Sequence, residues 1–147
     1  MNLKMFFAGI LSLSLAACAS GPTIDTKPNP ETDFSTFKTY NFVQPLGTDN
    51  AEGERTKLSS RLVSSMNRKL ISRGLSLSDE PDLRADFMLS TEAEQDSEGT
   101  LVIKLIDPAT NAVLGEGTAR SNTDNKAFTQ MQLDEIVNRV IDELMVP

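Results

Sequence analysis

Few side chains in this chain are equipped for chemistry. Cys18 is the single thiol among 147 residues, and there is no histidine and no tryptophan. Ser-His-Asp and Cys-His catalysis both need an imidazole base, so neither is available. Structural zinc wants cysteine or histidine ligands and is excluded on the same count. What remains is carboxylate chemistry, or serine paired with lysine. Glu92, Glu94, Asp96 and Glu98 alternate, so on an extended segment four carboxylates share one side. Such crowding raises carboxyl pKa values or gathers calcium through oxygen ligands. It equally makes a solvated strand end that discourages edge-to-edge aggregation, and no asparagine or glycine is spaced as in a calcium loop. Asp79, Glu80 and Asp82 surround Pro81, where turn chemistry accounts for them. Ser65 and Lys69 stand one helical turn apart, but a Ser-x-x-Lys dyad would need lysine where Arg68 stands. Gly115-Glu116-Gly117 has too few glycines for a phosphate loop and falls on an expected strand. The expectation is therefore no catalytic residue, no metal ligand and no cofactor.

The surroundings of Cys18 carry a different chemistry. Lys4 precedes an apolar run from Met5 to Leu15, followed by the small Ala16 and Ala17. These are the three parts of an export signal, and the run is too short to span a bilayer, which takes about 20 residues. Leu15-Ala16-Ala17-Cys18 resembles the lipobox of bacterial lipoproteins. That resemblance implies a diacylglycerol joined to Cys18 by a thioether and removal of residues 1–17. Acyl chains contribute about 0.8 kcal/mol per buried methylene, and more than one chain makes a stable anchor. Ala19 stands where an aspartate typically retains a lipoprotein in the inner membrane, which implies the outer membrane, facing the periplasm.

Without residues 1–17 the chain keeps 13 basic and 21 acidic side chains, because the signal holds only Lys4. A net charge of −8 repels nucleic acid and anionic phospholipid. With Cys18 lipidated, no internal disulfide is possible. About 130 residues suit one domain with a modest core.

Residues 18–32 read as a flexible tether rich in proline, glycine and threonine, which leaves residues 33–147 as the domain. Asp33 to Val43 mixes aromatic and β-branched residues and predicts the first strand, ended by Pro45 and Gly47. Leu58, Leu62, Met66 and Leu70, joined by Val63 and Ile71, predict a helix over 52–73 with Gly74 as its left-handed terminator. From Leu83 onward, odd positions are largely apolar, while Arg84, Asp86, Met88 and Glu92 fall on the other face. That is the period-2 signature of a sheet with one wet side. Thr100–Asp107 and Ala112–Arg120 flank a Pro-Ala-Thr-Asn turn and complete a three-stranded meander. A last helix over about 126–145 is expected, capped by Thr123 or Asp124. The order β-α-β-β-β-α predicts an α+β two-layer sandwich, with a four-stranded, mainly antiparallel sheet and both helices on one face.

Several short motifs in this order form a recognisable pattern: Asp33-Phe34, Lys38-Thr39-Tyr40 with Phe42, Arg73-Gly74, Pro81-Asp82-Leu83, a strand ending at Asp107, and a glycine-containing last strand. In order and spacing they resemble the bacterial lipoproteins grouped as domain of unknown function 4136, over most of residues 33–147. The chain lacks the tryptophan often found before the glycine of the last strand and the long Gly/Tyr-rich segment between the second and third strands. The resemblance implies a fold and an envelope location. It implies no reaction.

These readings combine into an expectation of a non-enzymatic, lipid-anchored accessory protein of the bacterial envelope. Its contacts are the membrane, through Cys18, and an envelope protein or the cell wall. The residues expected to meet that partner are Asp33, Lys38, Tyr40, Arg84, Asp86, Met88 and Glu92. The alternatives are a small-ligand or cation-binding lipoprotein, or a carboxylate-only glycan hydrolase.

Overall fold

The computed structural model describes residues 21–43, 54–90, 99–121 and 128–146. In chain order these form β1 (Thr23–Pro28), a 3-10 turn (Phe34–Thr36), β2 (Thr39–Phe42), α1 (Glu54–Ser72), β3 (Ser76–Leu77), β4 (Leu83–Ser90), β5 (Thr100–Ile106), β6 (Val113–Arg120) and α2 (Gln130–Leu144). The strands make one mixed sheet in the order β1-β6-β5-β4-β2-β3. β2 runs parallel to β3 and β4, and the other pairings are antiparallel.

The α+β class, the two helices and the β4-β5-β6 meander agree with the sequence reading. The four-stranded sheet does not: the described residues form six strands. The first addition is β1, drawn from the segment read as tether. Thr23, Ile24 and Thr26 are β-branched and suit a pleated edge. Ile24 packs against the core, and Arg120 pairs with Asp25 at 3.6 Å. The second is the two-residue β3, which follows α1 directly. The strand expected over 33–43 is also shorter, because its first residues turn instead. Asp33 accepts the Ser35 N–H at 3.0 Å and the Ser35 hydroxyl at 2.6 Å. Such local side-chain bonds compete with a ladder, and β2 begins only at Thr39.

Terminators behave as physical chemistry requires. Gly74 takes φ +89°, and Leu75 N–H reaches the Leu70 carbonyl at 3.1 Å, closing α1 in a left-handed cap with Leu75 buried beneath it. α2 starts later than expected. Its cap is Thr129, in a reciprocal capping box with Gln132, while Thr123 and Asp124 lie outside the described residues. Asn111, at φ 57°, turns the chain between β5 and β6.

Both helices cover one side of the sheet. α1 contributes Leu62, Met66 and Leu70 to the core, and α2 contributes Leu133, Ile136, Val137, Val140, Ile141 and Leu144. Ile71, expected in the α1 stripe, is instead 53% exposed. The sheet answers with Tyr40, Phe42, Leu83, Ala85, Leu101, Ile103, Leu105 and Ala119. Where α2 crosses β6 the sheet has glycine: a Cβ at Gly117 would lie 2.4 Å from Val140 Cγ1, and one at Gly115 would lie 3.1 Å from Leu144 Cδ2. The Gly-Glu-Gly motif is thus the groove that seats a helix.

Candidate interaction surfaces

Among the described residues no helix covers the other side of the sheet, and the residues there are fixed by register. Asp86 pairs with Lys104, Lys104 with Glu116, and Glu116 with Lys27. One row across β4, β5, β6 and β1 therefore alternates in charge, minus, plus, minus, plus. Lys104 Nζ lies 3.6 Å from Glu116 Oε2. Asp86 and Lys27, at the ends, make no ion pair among the described residues. The row above is Met88, Val102, Thr118 and Asp25, and the row below includes Ile106 beside Val113. Met88 is 62% exposed and Val113 45%. This face contains the expected Arg84, Asp86 and Met88. It also contains Lys104, Glu116 and Lys27, which sequence reasoning missed. Their outward positions follow from period-2 alternation, but their alignment depends on register.

Asp33, Lys38 and Tyr40 do not join that surface. Tyr40 is fully buried, its hydroxyl donating to Asn67 Oδ1 of α1, and burial pushes its pKa up. Asp33 caps the 3-10 turn, and the Ser35 hydroxyl and N–H hold its carboxyl below the usual range. Lys38 Nζ donates to the Ser35 carbonyl at 3.0 Å, while its backbone N–H donates to Asp82 Oδ2 at 2.9 Å. Asp82 Oδ2 also accepts the Thr39 N–H at 3.1 Å. The Lys38 and Thr39 bonds depress the Asp82 pKa. The Lys-Thr-Tyr and Pro-Asp-Leu motifs thus meet in a clasp that holds β2 beside β4. Glu92 and the acidic run through Glu98 lie outside the described residues.

A polar cluster bridges the helices. Ser65 is 4% exposed, and its hydroxyl donates to Asp134 Oδ1. Arg68 Nη2 and Gln130 Nε2 reach the same oxygen at 2.9 and 3.1 Å. Three donors on one carboxylate oxygen make a fastening between α1 and α2. The serine lacks a base to activate it, because its partner carboxylate is already paired with a guanidinium. Nearby, Lys69 Nζ meets Asp142 Oδ2 at 2.7 Å. Among the described residues no group of acidic side chains is placed to hold a metal ion, and no helix is long and apolar enough to cross a membrane.

A model of the family described as Domain of unknown function (DUF4136) matches residues 24–145. No curated protein matches the sequence. Among solved structures, a PelC dodecamer from Paraburkholderia phytofirmans is similar at a TM-score of 0.57 and 12% identity, over 86% of this chain and 99% of that chain. A PDZ domain protein from Parabacteroides distasonis is similar at a TM-score of 0.58 and 15% identity, over 82% of this chain but 35% of that one. At such identities the likeness is one of fold.

Proposed function

The chain belongs to the DUF4136 family, and from that premise we propose that it is a non-catalytic accessory protein of the bacterial envelope, lipid-anchored at Cys18, facing the periplasm from the outer membrane, and working by contact with an envelope partner. The uncovered sheet face carries this reading. It presents an ordered row of four charges beside exposed Met88 and Val113, a pattern suited to recognition. Three polar residues elsewhere are committed to structure: Asp82 to the β2–β4 clasp, and Ser65 and Asp134 to the helix fastening.

The anchor and the sheet are close in sequence. Four residues lie between Cys18 and Thr23, and the five steps reach at most about 18 Å when fully extended. The sheet end formed by Thr23, Arg120 and Thr100 then lies next to the bilayer. The opposite end, with Lys38, Asp82 and the 107–112 hairpin, points into the periplasm. The PelC structure that shares this fold is a dodecamer, so the fold is compatible with assembly.

Crosslinking in intact cells tests the reading. The bait is the full-length chain with a C-terminal tag, and Cys18→Ala is the mislocalised control. Enrichment of an envelope protein with the anchored form alone is the expected result. Efficient hydrolysis of cell-wall glycans by the purified domain would overturn it.

A further inference from the structure

The charge row Asp86-Lys104-Glu116-Lys27 is antisymmetric about the line between β5 and β6: reversing its order reverses every sign. A second copy facing this sheet can be placed by either of two in-plane two-fold axes. With the axis along the strands, between β5 and β6, Asp86 faces the partner's Lys27 and Lys104 faces the partner's Glu116. All four contacts are then between opposite charges. With the axis across the strands, each side chain faces its own copy, and four like-charge contacts result. We infer that the partner this face receives is a second copy of the chain itself, packed sheet to sheet about the axis parallel to the strands.

Two further observations agree with that axis. It sets Ile106 opposite the partner's Val113, an apolar contact made twice, and Val102 opposite the partner's Thr118, while Met88 meets the partner's Asp25 at the margin. It also leaves the N-terminal ends of β1 in both copies at the same end of the pair. Two lipids on Cys18 then enter one membrane, as the proposed anchoring requires; the axis across the strands would point them in opposite directions. The inference rests on the anchoring reading for that last point only.

The face is modest. Four strands about 4.8 Å apart and seven residues long at about 3.4 Å each give a footprint of roughly 450 Å² per copy, or roughly 900 Å² for the pair. Stable soluble complexes bury about 1,200–2,000 Å². The pair therefore needs the raised local concentration that a shared membrane supplies, and its charges set the orientation and exclude wrong partners.

Charge reversal separates contacts within a chain from contacts between chains. The full-length lipoprotein is produced in cells as two differently tagged copies, each carrying Val102→Cys for a bismaleimide that spans the roughly 10 Å between facing sheets. Lys104→Glu in both copies puts glutamate against the partner's Glu116. Glu116→Lys in both puts lysine against the partner's Lys104. Each is expected to lower the crosslinked dimer about tenfold, or 1.4 kcal/mol. Combining a Lys104→Glu copy with a Glu116→Lys copy makes every contact between chains favourable again, although each chain keeps its own like-charge neighbours. Recovery in this mixture to within about twofold of the unaltered yield is the expected result. No dimer from the unaltered chain, equal yields from all combinations, or no recovery in the mixture would overturn the inference. Melting temperatures of the purified variants report folding separately. If either fails to fold, Asp86→Lys combined with Lys27→Asp repeats the test at the ends of the row. Palmitate incorporation, with Cys18→Ala as the blank, reads the anchor independently, so failure of anchoring and failure of pairing are distinguishable.

Discussion

Thr39 and Asp82 grip each other across 43 residues of chain. Asp82 Oδ2 accepts the Thr39 N–H at 3.1 Å, and Thr39 Oγ1 accepts the Asp82 N–H at 2.9 Å. The Lys38 N–H joins the same carboxylate oxygen at 2.9 Å. β2 has only four residues and runs parallel to β4, so it needs this fastening where the two strands begin.

The Asp82 carboxyl is held below its ordinary pKa, first by the Lys38 N–H and then by the Thr39 bonds. A folded-state pKa below the unfolded value contributes stability that is fully present above the unfolded value. That contribution disappears as pH falls through the folded value. The melting temperature should therefore drop as pH is lowered through and below the ordinary carboxylate range. Asp33 and Asp107 are depressed in the same direction, by bonds from Ser35 and Ala109, and share the effect. Asp82→Asn should lower the melting temperature at pH 7 and flatten its decline in acid. Thermal melts of both proteins between pH 7 and pH 3 check this, and parallel curves would count against the clasp.

Gly117→Ala should destabilise the domain by about 1–3 kcal/mol, the usual cost of overpacking. The new methyl would sit 2.4 Å from Val140 Cγ1 and 2.8 Å from Cγ2, and a β-branched side chain on a helix cannot rotate away. Adding Val140→Ala should restore part of the loss. Gly115→Ala should cost less, since it meets the flexible end of Leu144 at 3.1 Å. Denaturant melts of the four proteins give the comparison.

Tyr40→Phe should cost about 1 kcal/mol, because Asn67 Oδ1 loses its donor at a part-buried site. Tyr40 is fully buried, so the same variant should leave partner capture in cells unchanged once the protein is folded. Reduced capture at normal stability would return Tyr40 to the binding surface.

Gly74→Ala should lower stability by about 1 kcal/mol, since a side chain at φ +89° is strained even with open space around it. Gly74→Asn, which tolerates the left-handed region better, should lose less. Melting curves of the two variants order them.

The periodic elements were legible because their signals are local. Leu62, Met66 and Leu70 recur at the spacing of one helical face, and Leu83, Ala85 and Phe87 alternate as one side of a strand. Burial follows from that spacing alone. Gly74 was readable for the same reason, since left-handed backbone is a property of one residue. Candidate residues were harder. Alternation alone puts Arg84, Asp86 and Met88 on a wet face, and they do share one. Asp33, Lys38 and Tyr40 suit partner contacts by sequence, but polar residues at a strand start serve equally well as caps, and only burial separates the two roles.

What the chain could not announce were its long-range pairings. Thr23–Pro28 looks like linker until β6 offers a ladder for it, because one isoleucine among prolines and polar residues carries no period. Gly115-Glu116-Gly117 reads as a loose strand until Val140 and Leu144 fill the space that its missing side chains leave. The row Asp86-Lys104-Glu116-Lys27 exists only in one register, since a slip of one residue would turn each strand's charges toward the core. Spacing along the chain thus determines which face of an element is apolar. Pairing across the sheet determines which charges become neighbours, and that depends on contacts between residues far apart in the chain, as Lys27 is from Glu116, 89 positions on.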